Sequence, residues 1–263
     1  MNEMEKLQYV LFERLHRRAP GIDKLDRLWD AAVLLPLVRT PEGISVLFEE
    51  RAHTLRSQPG EVCFPGGKYE CEDNSFRNTA VRETCEELGL KPENINICGE
   101  LDCLVTHNGP IIHPFVGLID DISKITYSKS EVERIFTVPL KVLLEQKPRR
   151  GSVQLADHPG DDFPFDLVPQ RKRGWRMNKS YYVYFYLYED KVIWGLTARM
   201  LYAFLYRSRK ELTEYLAADH VDAFAITDHN TTSGQKKIEQ LLEEKQDDFA
   251  RAIARGVTDY ECQ

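Results

Sequence analysis

Gly66-Gly-Lys-Tyr-Glu-Cys-Glu-Asp-Asn-Ser-Phe-Arg-Asn-Thr-Ala-Val-Arg-Glu-Thr-Cys-Glu-Glu-Leu-Gly-Leu90 is the stretch whose reading decides the fold. A helix is expected over about Ser75 to Leu88, stopped by Gly89, because glycine takes the left-handed backbone that ends a helix. At about 100° per residue, Val81, Cys85 and Leu88 share one face. Glu83, Glu86 and Glu87 then fall opposite, within one turn. Like charges this close destabilise an isolated helix. Arg82, four residues before Glu86, offsets them within the helix, whereas Lys91 lies beyond the stop.

A bare E-x-x-E-E is most simply a solvated acidic face. These acids, however, sit at a helix C-terminus, where the macrodipole makes negative charge less favourable still. A divalent cation would remove that cost. Mg²⁺ takes one or more carboxylates, keeps waters, and completes its octahedron with phosphate oxygens.

Working outward, the glycine- and proline-rich run Gln58 to Gly67 reads as turns around a very short strand. Ala31 to Val38 and Ile44 to Glu50 are apolar runs joined by Arg39-Thr-Pro-Glu-Gly43 as a hairpin. Asn96 to Val105 and Ile111 to Ile119 read as strands around a His107-Asn-Gly-Pro110 turn. Ser130 to Phe136 and Leu140 to Gln146 read as short helices interrupted by Pro139. Residues 147–180 read as a long surface loop, Tyr181 to Tyr188 as an aromatic strand, and Leu196 to Arg209 as a helix. With a further helix over residues 5–18, the order implies a mixed sheet sandwiched between helices.

Composition narrows the partners. Hydrophobic residues make up 42% and charged residues 29%, as in an ordinary globular chain. The net charge of −7 supplies no basic footprint for nucleic acid. Ala31 to Val38, the longest apolar run, is broken by Pro36 and too short to span a bilayer. Residues 1–18 mix acids and bases and lack a signal-peptide apolar core. The six cysteines form no C-x-x-C pair, which argues against structural zinc and for reduced, mostly buried thiols. A soluble, cytoplasmic protein is expected.

Gly67, Arg82-Glu83, Glu86-Glu87 and Gly89-Leu90 resemble the Nudix box, G-x5-E-x7-R-E-U-x-E-E-x-G-U. Seven specified positions in one window carry the match. The resemblance implies an α/β Nudix-type α/β/α sandwich with a mixed sheet. It implies Glu83 and Glu87 as main ligands of Mg²⁺ (or Mn²⁺), Glu86 contributing, and Arg82 orienting Glu83 by a charge-assisted hydrogen bond. Glu83, Glu86 and Arg82 would form the catalytic set. Gly67 and Arg82 stand one residue further apart than in the common pattern. The first box glutamate therefore has no exact counterpart: counting forward from Gly67 gives Asp73, counting back from Arg82 gives Asn74. Some members of the coenzyme A subgroup share this spacing, and the role of Asp73 stays open.

Arg51 to Gly67 resembles the signature that precedes the box in coenzyme A pyrophosphatases. Ile111 to Gly117, Glu131 to Leu140 and Ile193 to Ala198 are similar to that subgroup too, so the resemblance spans residues 30 to about 207. It implies Arg51, Arg56, Gly66 and Gly67 as substrate contacts. Guanidinium suits the 3′-phosphate or diphosphate of coenzyme A. The alternative for each arginine is a surface salt bridge to Glu49, Glu50 or Glu61. Glu131 is a candidate for a further metal or water contact, or else a capping or solvated glutamate. His107, His113 and Cys85 read as structural, Trp194 and Phe204 as core.

The implied reaction is attack of cation-activated water on a phosphorus, giving 3′,5′-ADP and 4′-phosphopantetheine from coenzyme A, with Glu83 or Glu86 taking the proton. ADP-ribose or NADH is the alternative substrate class, and a nucleotide-sensing module without turnover the alternative role. The domain reading is an N-terminal helical segment (1–29), a hydrolase domain (30–207) and a C-terminal extension (208–263). Within the extension, Thr227-Asp-His-Asn230 resembles the PHP phosphoesterases, but their upstream H-x-H pair is missing, so Asp228 and His229 make a poor metal site. The extension is read as a structural extension or a fusion remnant, with a metal role or self-association as a homodimer as the alternatives.

Overall fold

The computed structural model describes residues 2–16, 22, 29–107 and 109–218. The chain divides into two units, Met1–Arg209 and Lys210–Gln263. Thr227 to Asn230 lie outside the described residues.

Helix α1 (Glu3–Leu15) starts with a capping box: Asn2 accepts from the Glu5 N–H, and Glu5 accepts from the Asn2 N–H, each at 2.8 Å. None of its residues is buried. β1 (Asp30–Thr40) and β2 (Gly43–Arg51) form the expected hairpin, with Thr40 opposite Gly43. β1 is buried on both faces from Ala31 through Val38, apart from the half-buried Val33, which explains its near-continuous apolar sequence. β3 (Val62–Cys63) extends β2, and β4 (Gly66–Lys68) pairs with β1.

Helix α2 (Phe76–Leu88) begins at Ser75, whose side chain accepts from the Asn78 N–H, and ends at Gly89 at φ 64°. It packs on β1 through Ala80 and Leu88, against Ala32, Leu34 and Val38 of β1 and Leu47 of β2. β5 (Ile95–Glu100) and β6 (Leu104–Val105) pair with β7 (Ile111–Ile119), which runs parallel to β1. The single strand expected over Asn96 to Val105 is thus two, separated by Leu101 to Cys103 and bulged between Ile97 and Gly99.

β8 (Val132–Pro139) corrects the helix expected over Ser130 to Phe136. Glu-Val-Glu-Arg favours a helix locally, but the open edge of β2 takes the segment as an antiparallel strand, with Phe136 opposite and stacked on Phe48. Tertiary context overrides a weak propensity there. Pro139 then caps α3 (Leu140–Glu145) instead of interrupting a helix pair.

The main sheet runs β3-β2-β1-β7-β5, antiparallel except for β1 and β7, so it is mixed. A second sheet is built from β9 (Arg149–Asp157), β10 (Arg176–Tyr188) and β11 (Lys191–Trp194). The loop expected over 147–180 is therefore confined to 158–175. β9 is largely exposed and lacks the apolar alternation that announces a strand; its β10 partner supplies the pairing.

Alternate residues of a strand face opposite sides. Leu47 and Glu49 of β2 face α2, while Phe48 and Glu50 face the layer of β11 and α4 (Gly195–Arg207). Lys191 bonds Glu50, and Thr197 of α4 donates to the Val62 carbonyl at 3.2 Å. Helices thus flank a mixed sheet, the α/β arrangement expected from sequence. Phe204 is core at 4% exposure, whereas Trp194 is 41% exposed and not core. The cysteines among the described residues are free, yet Cys71, Cys98 and Cys103 are exposed, against the expectation of mostly buried thiols. No helix among the described residues is long and apolar enough to cross a membrane. In the second unit, the described residues continue helix α5 (Arg209–Ala218).

Candidate active site

The packing of α2 across β1 and β4 brings the last turns of the helix against Gly66 and Gly67. The Gly66 N–H donates to Glu87 Oε2 at 2.9 Å. A Cβ added at Gly67 would lie 2.4 to 2.5 Å from the Glu83 carboxyl, so that carboxyl rests directly on backbone which only glycine leaves open. Two of the candidate substrate contacts therefore hold two of the candidate metal ligands.

Arg82 organises the rim. Its Nε donates to Asp73 Oδ1 at 2.7 Å and its Nη2 to Asp73 Oδ2 at 3.1 Å. Nη1 pairs with Glu83 Oε1 at 3.0 Å and donates to Glu86 Oε2 at 3.2 Å. Asp73 also accepts from Thr79 Oγ1 at 2.8 Å and from the Glu70 N–H at 3.0 Å. The Arg82 guanidinium holds the Asp73 carboxyl well below the ordinary carboxylate range. Asp73 thus anchors Arg82, the contact left open by the spacing of the motif.

The three helix acids do not share one solvated face. Glu87 is buried at 7% exposure, Glu83 is half-buried, and Glu86 is exposed. Helical geometry alone could not foresee that the sheet edge at β4 reaches round to cover Glu87.

A fourth carboxylate joins them. Glu49 on β2 is 1% exposed, lies close enough to Glu87 to feel its charge, and leaves Oε1 buried with no hydrogen-bond partner. Burial, then the charge of Glu87, pushes its proton affinity well above the ordinary range. Burial raises Glu87 likewise, opposed by the Gly66 N–H and reinforced by Glu83 and Glu131. Glu83 is raised by burial against the pull of Arg82, again with Glu131 contributing. Sequence alone brings in Glu49 only as a salt-bridge partner. The available signal is an ionisable residue on the inward side of a strand, in line with Leu47.

Among the described residues, no three Asp, Glu, His or Cys side chains already stand at metal-ligand spacing. The donor set nevertheless suits a hard divalent cation. It is all carboxylate oxygen, one oxygen is orphaned, and buried mutual repulsion is the cost that a cation removes.

Arg51 lies beside this group, lowering the proton affinities of Glu49 and Glu87, with Nε directed to the Ser57 carbonyl at 3.4 Å. Arg56 is exposed and makes no ion pair among the described residues, while Glu50 is engaged by Arg134 and Lys191. Glu131 is exposed but close enough to act on Glu49, Glu83 and Glu87. His113 stands at the far end of α2, stacked on Phe76 and 3.2 Å from Asp30. An open cavity of about 610 Å³ is lined by Glu50, Arg134, Phe185, Lys191 and Trp194. It belongs to the opposite face of β2 from Glu49 and is not lined by Glu49, Glu83, Glu86 or Glu87.

Comparison with known proteins agrees with this geometry. The family model described as the NUDIX domain matches residues 28–156. The chain is 33% identical over 172 residues to Nudix hydrolase NudL of Photorhabdus laumondii, covering 65% of this chain and 81% of that protein. It is 36% identical over 113 residues to the peroxisomal coenzyme A diphosphatase NUDT7 of Mus musculus, covering 43% of this chain and 48% of that one. With a relative matched over most of its length, and the box residues gathered at one helix end, the chain belongs to the Nudix hydrolase family, enzymes that hydrolyse nucleoside diphosphate derivatives.

Proposed function

We propose that this protein hydrolyses the diphosphate of coenzyme A or its derivatives, with Mg²⁺, to 3′,5′-ADP and 4′-phosphopantetheine. The observation that carries the hydrolytic reading is the gathering of Glu83 and Glu87 on Gly66 and Gly67, with Arg82 braced beside them. The substrate rests on the likeness of Arg51 to Gly67 to the coenzyme A subgroup and on the activity for which the mouse relative is named.

Nudix hydrolases generally work with a divalent cation such as Mg²⁺. Glu83 and Glu87 would hold it, with Glu86 contributing from the rim. Bound there, the cation would neutralise diphosphate charge and make water more acidic. Every other part belongs to the chain. Arg82 restrains Glu83 and Glu86, the two box carboxylates that reach solvent and so the two able to take a proton from water. Gly66 fixes Glu87 through its N–H. Arg51, beside the acids, and the exposed Arg56 would take up the phosphates.

The test is incubation of the protein and Mg²⁺ with coenzyme A, ADP-ribose, NADH and dinucleoside polyphosphates, followed by separation of products. Release of 4′-phosphopantetheine is expected. Turnover of ADP-ribose without it would sink the substrate assignment.

A further inference from the structure

Glu49 is a carboxylic side chain in the interior of a strand, on the face where its neighbour Leu47 joins the core. An apolar residue would fill that place without a desolvation cost. Instead, a carboxylate sits there beside the charge of Glu87, and its Oε1 is buried with no hydrogen-bond partner. Two nearby donors are directed elsewhere, the Gly66 N–H to Glu87 and Arg51 Nε to the Ser57 carbonyl. Buried polar atoms are almost always satisfied, so an orphaned carboxylate oxygen in an acid cluster calls for a cation.

We propose that Glu49 is an additional ligand of the divalent cation, supplied by the face of the sheet that α2 covers. The cation would then be gripped between β2 and the helix, with Glu49 and Glu87 meeting it from two separate elements. Holding it from both sides fixes the helix end relative to the strand, so the site is preformed by the fold and not by α2 alone. The proposal rests on the reading of Glu83 and Glu87 as cation-binding residues.

The full chain, stripped with EDTA, is titrated with Mn²⁺, and free Mn²⁺ is followed by electron paramagnetic resonance for the wild type, Glu49→Gln and Glu87→Gln. Melting of each protein is recorded with EDTA and with Mn²⁺. Glu49→Gln is expected to weaken Mn²⁺ binding by about tenfold or more, and to lose most of the metal-induced rise in melting temperature. Its melting temperature in EDTA should stay equal to or above that of the wild type, because a buried unpartnered carboxylate is gone. Glu49→Gln binding Mn²⁺ within twofold of the wild type, while Glu87→Gln is weakened, overturns the assignment of Glu49 alone. Lower stability in EDTA with unchanged Mn²⁺ affinity overturns it too, in favour of a packing role. If the wild type and Glu87→Gln bind Mn²⁺ equally, the underlying cation reading falls and this proposal with it.

Discussion

Arg82 grips Asp73 through two hydrogen bonds, Nε to Oδ1 at 2.7 Å and Nη2 to Oδ2 at 3.1 Å, and so presents its remaining nitrogen to Glu83 and Glu86. Asp73 is itself buried at 7% exposure and held by Thr79. The pair is therefore a rigid brace. It connects the short turn before α2 to the acids at the helix end, across nine residues of sequence.

Asp73→Asn keeps the shape and removes the charge. It is expected to cost about 1 to 3 kcal/mol, because the Arg82 guanidinium loses its buried counter-charge. The pH dependence has a definite sign. The folded pKa of Asp73 is depressed, so its contribution is complete above the unfolded value near 4 and is lost as pH falls through the folded one. Denaturant melts should show the full gap between wild type and variant at pH 6 to 7, narrowing below about pH 4. A gap that widens on acidification would contradict the brace.

Gly67→Ala and Gly66→Ala should separate site from fold. At Gly67 the nearest atoms to the new methyl are the flexible end of Glu83, so the protein should melt near the wild-type temperature with turnover reduced roughly a hundredfold. At Gly66, where φ is +154°, it meets the Ala32 carbonyl at 2.4 Å and Val33 Cα at 2.6 Å. That clash with strand backbone should cost about 2 kcal/mol or more. Paired thermal melts and rate measurements check both.

Much of this is legible in sequence, for identifiable reasons. α2 announces itself through Ser75 and Gly89, local caps that need no tertiary partner. The β1–β2 hairpin is carried by apolar runs flanking a turn. β8 is not legible, because its first residues lean locally to helix and the edge of β2 overrides them. β9 is exposed and takes its structure from β10 alone. The same division holds at the site. Glu83, Glu86, Glu87 and Arg82 stand in one helix and can be named from spacing, whereas Glu49 enters through strand alternation and Asp73 through a turn. Counting from Gly67 reaches Asp73 without giving its role, and an ionisable residue on an inward strand position is all that marks Glu49.

Arg51→Ala and Arg56→Ala bear on the substrate. If one of them meets the 3′-phosphate of coenzyme A, its loss should raise KM for coenzyme A about tenfold to a hundredfold, and leave KM for 3′-dephospho-coenzyme A within twofold. Arg56 is exposed, so its variant should be unchanged in stability. Equal losses on both substrates would move that arginine to the diphosphate instead.

Glu87, buried against Gly66, is central to the acid group and to the hydrolytic assignment. Its most direct test is the rate of 4′-phosphopantetheine release from coenzyme A with Mg²⁺, compared between wild type and Glu87→Gln after matched melts confirm folding. A fall of roughly a hundredfold or more is expected, with the wild type silenced by EDTA and restored by Mg²⁺. Unchanged release by Glu87→Gln, or a wild type indifferent to EDTA, would contradict the assignment of these carboxylates to a metal-dependent hydrolase.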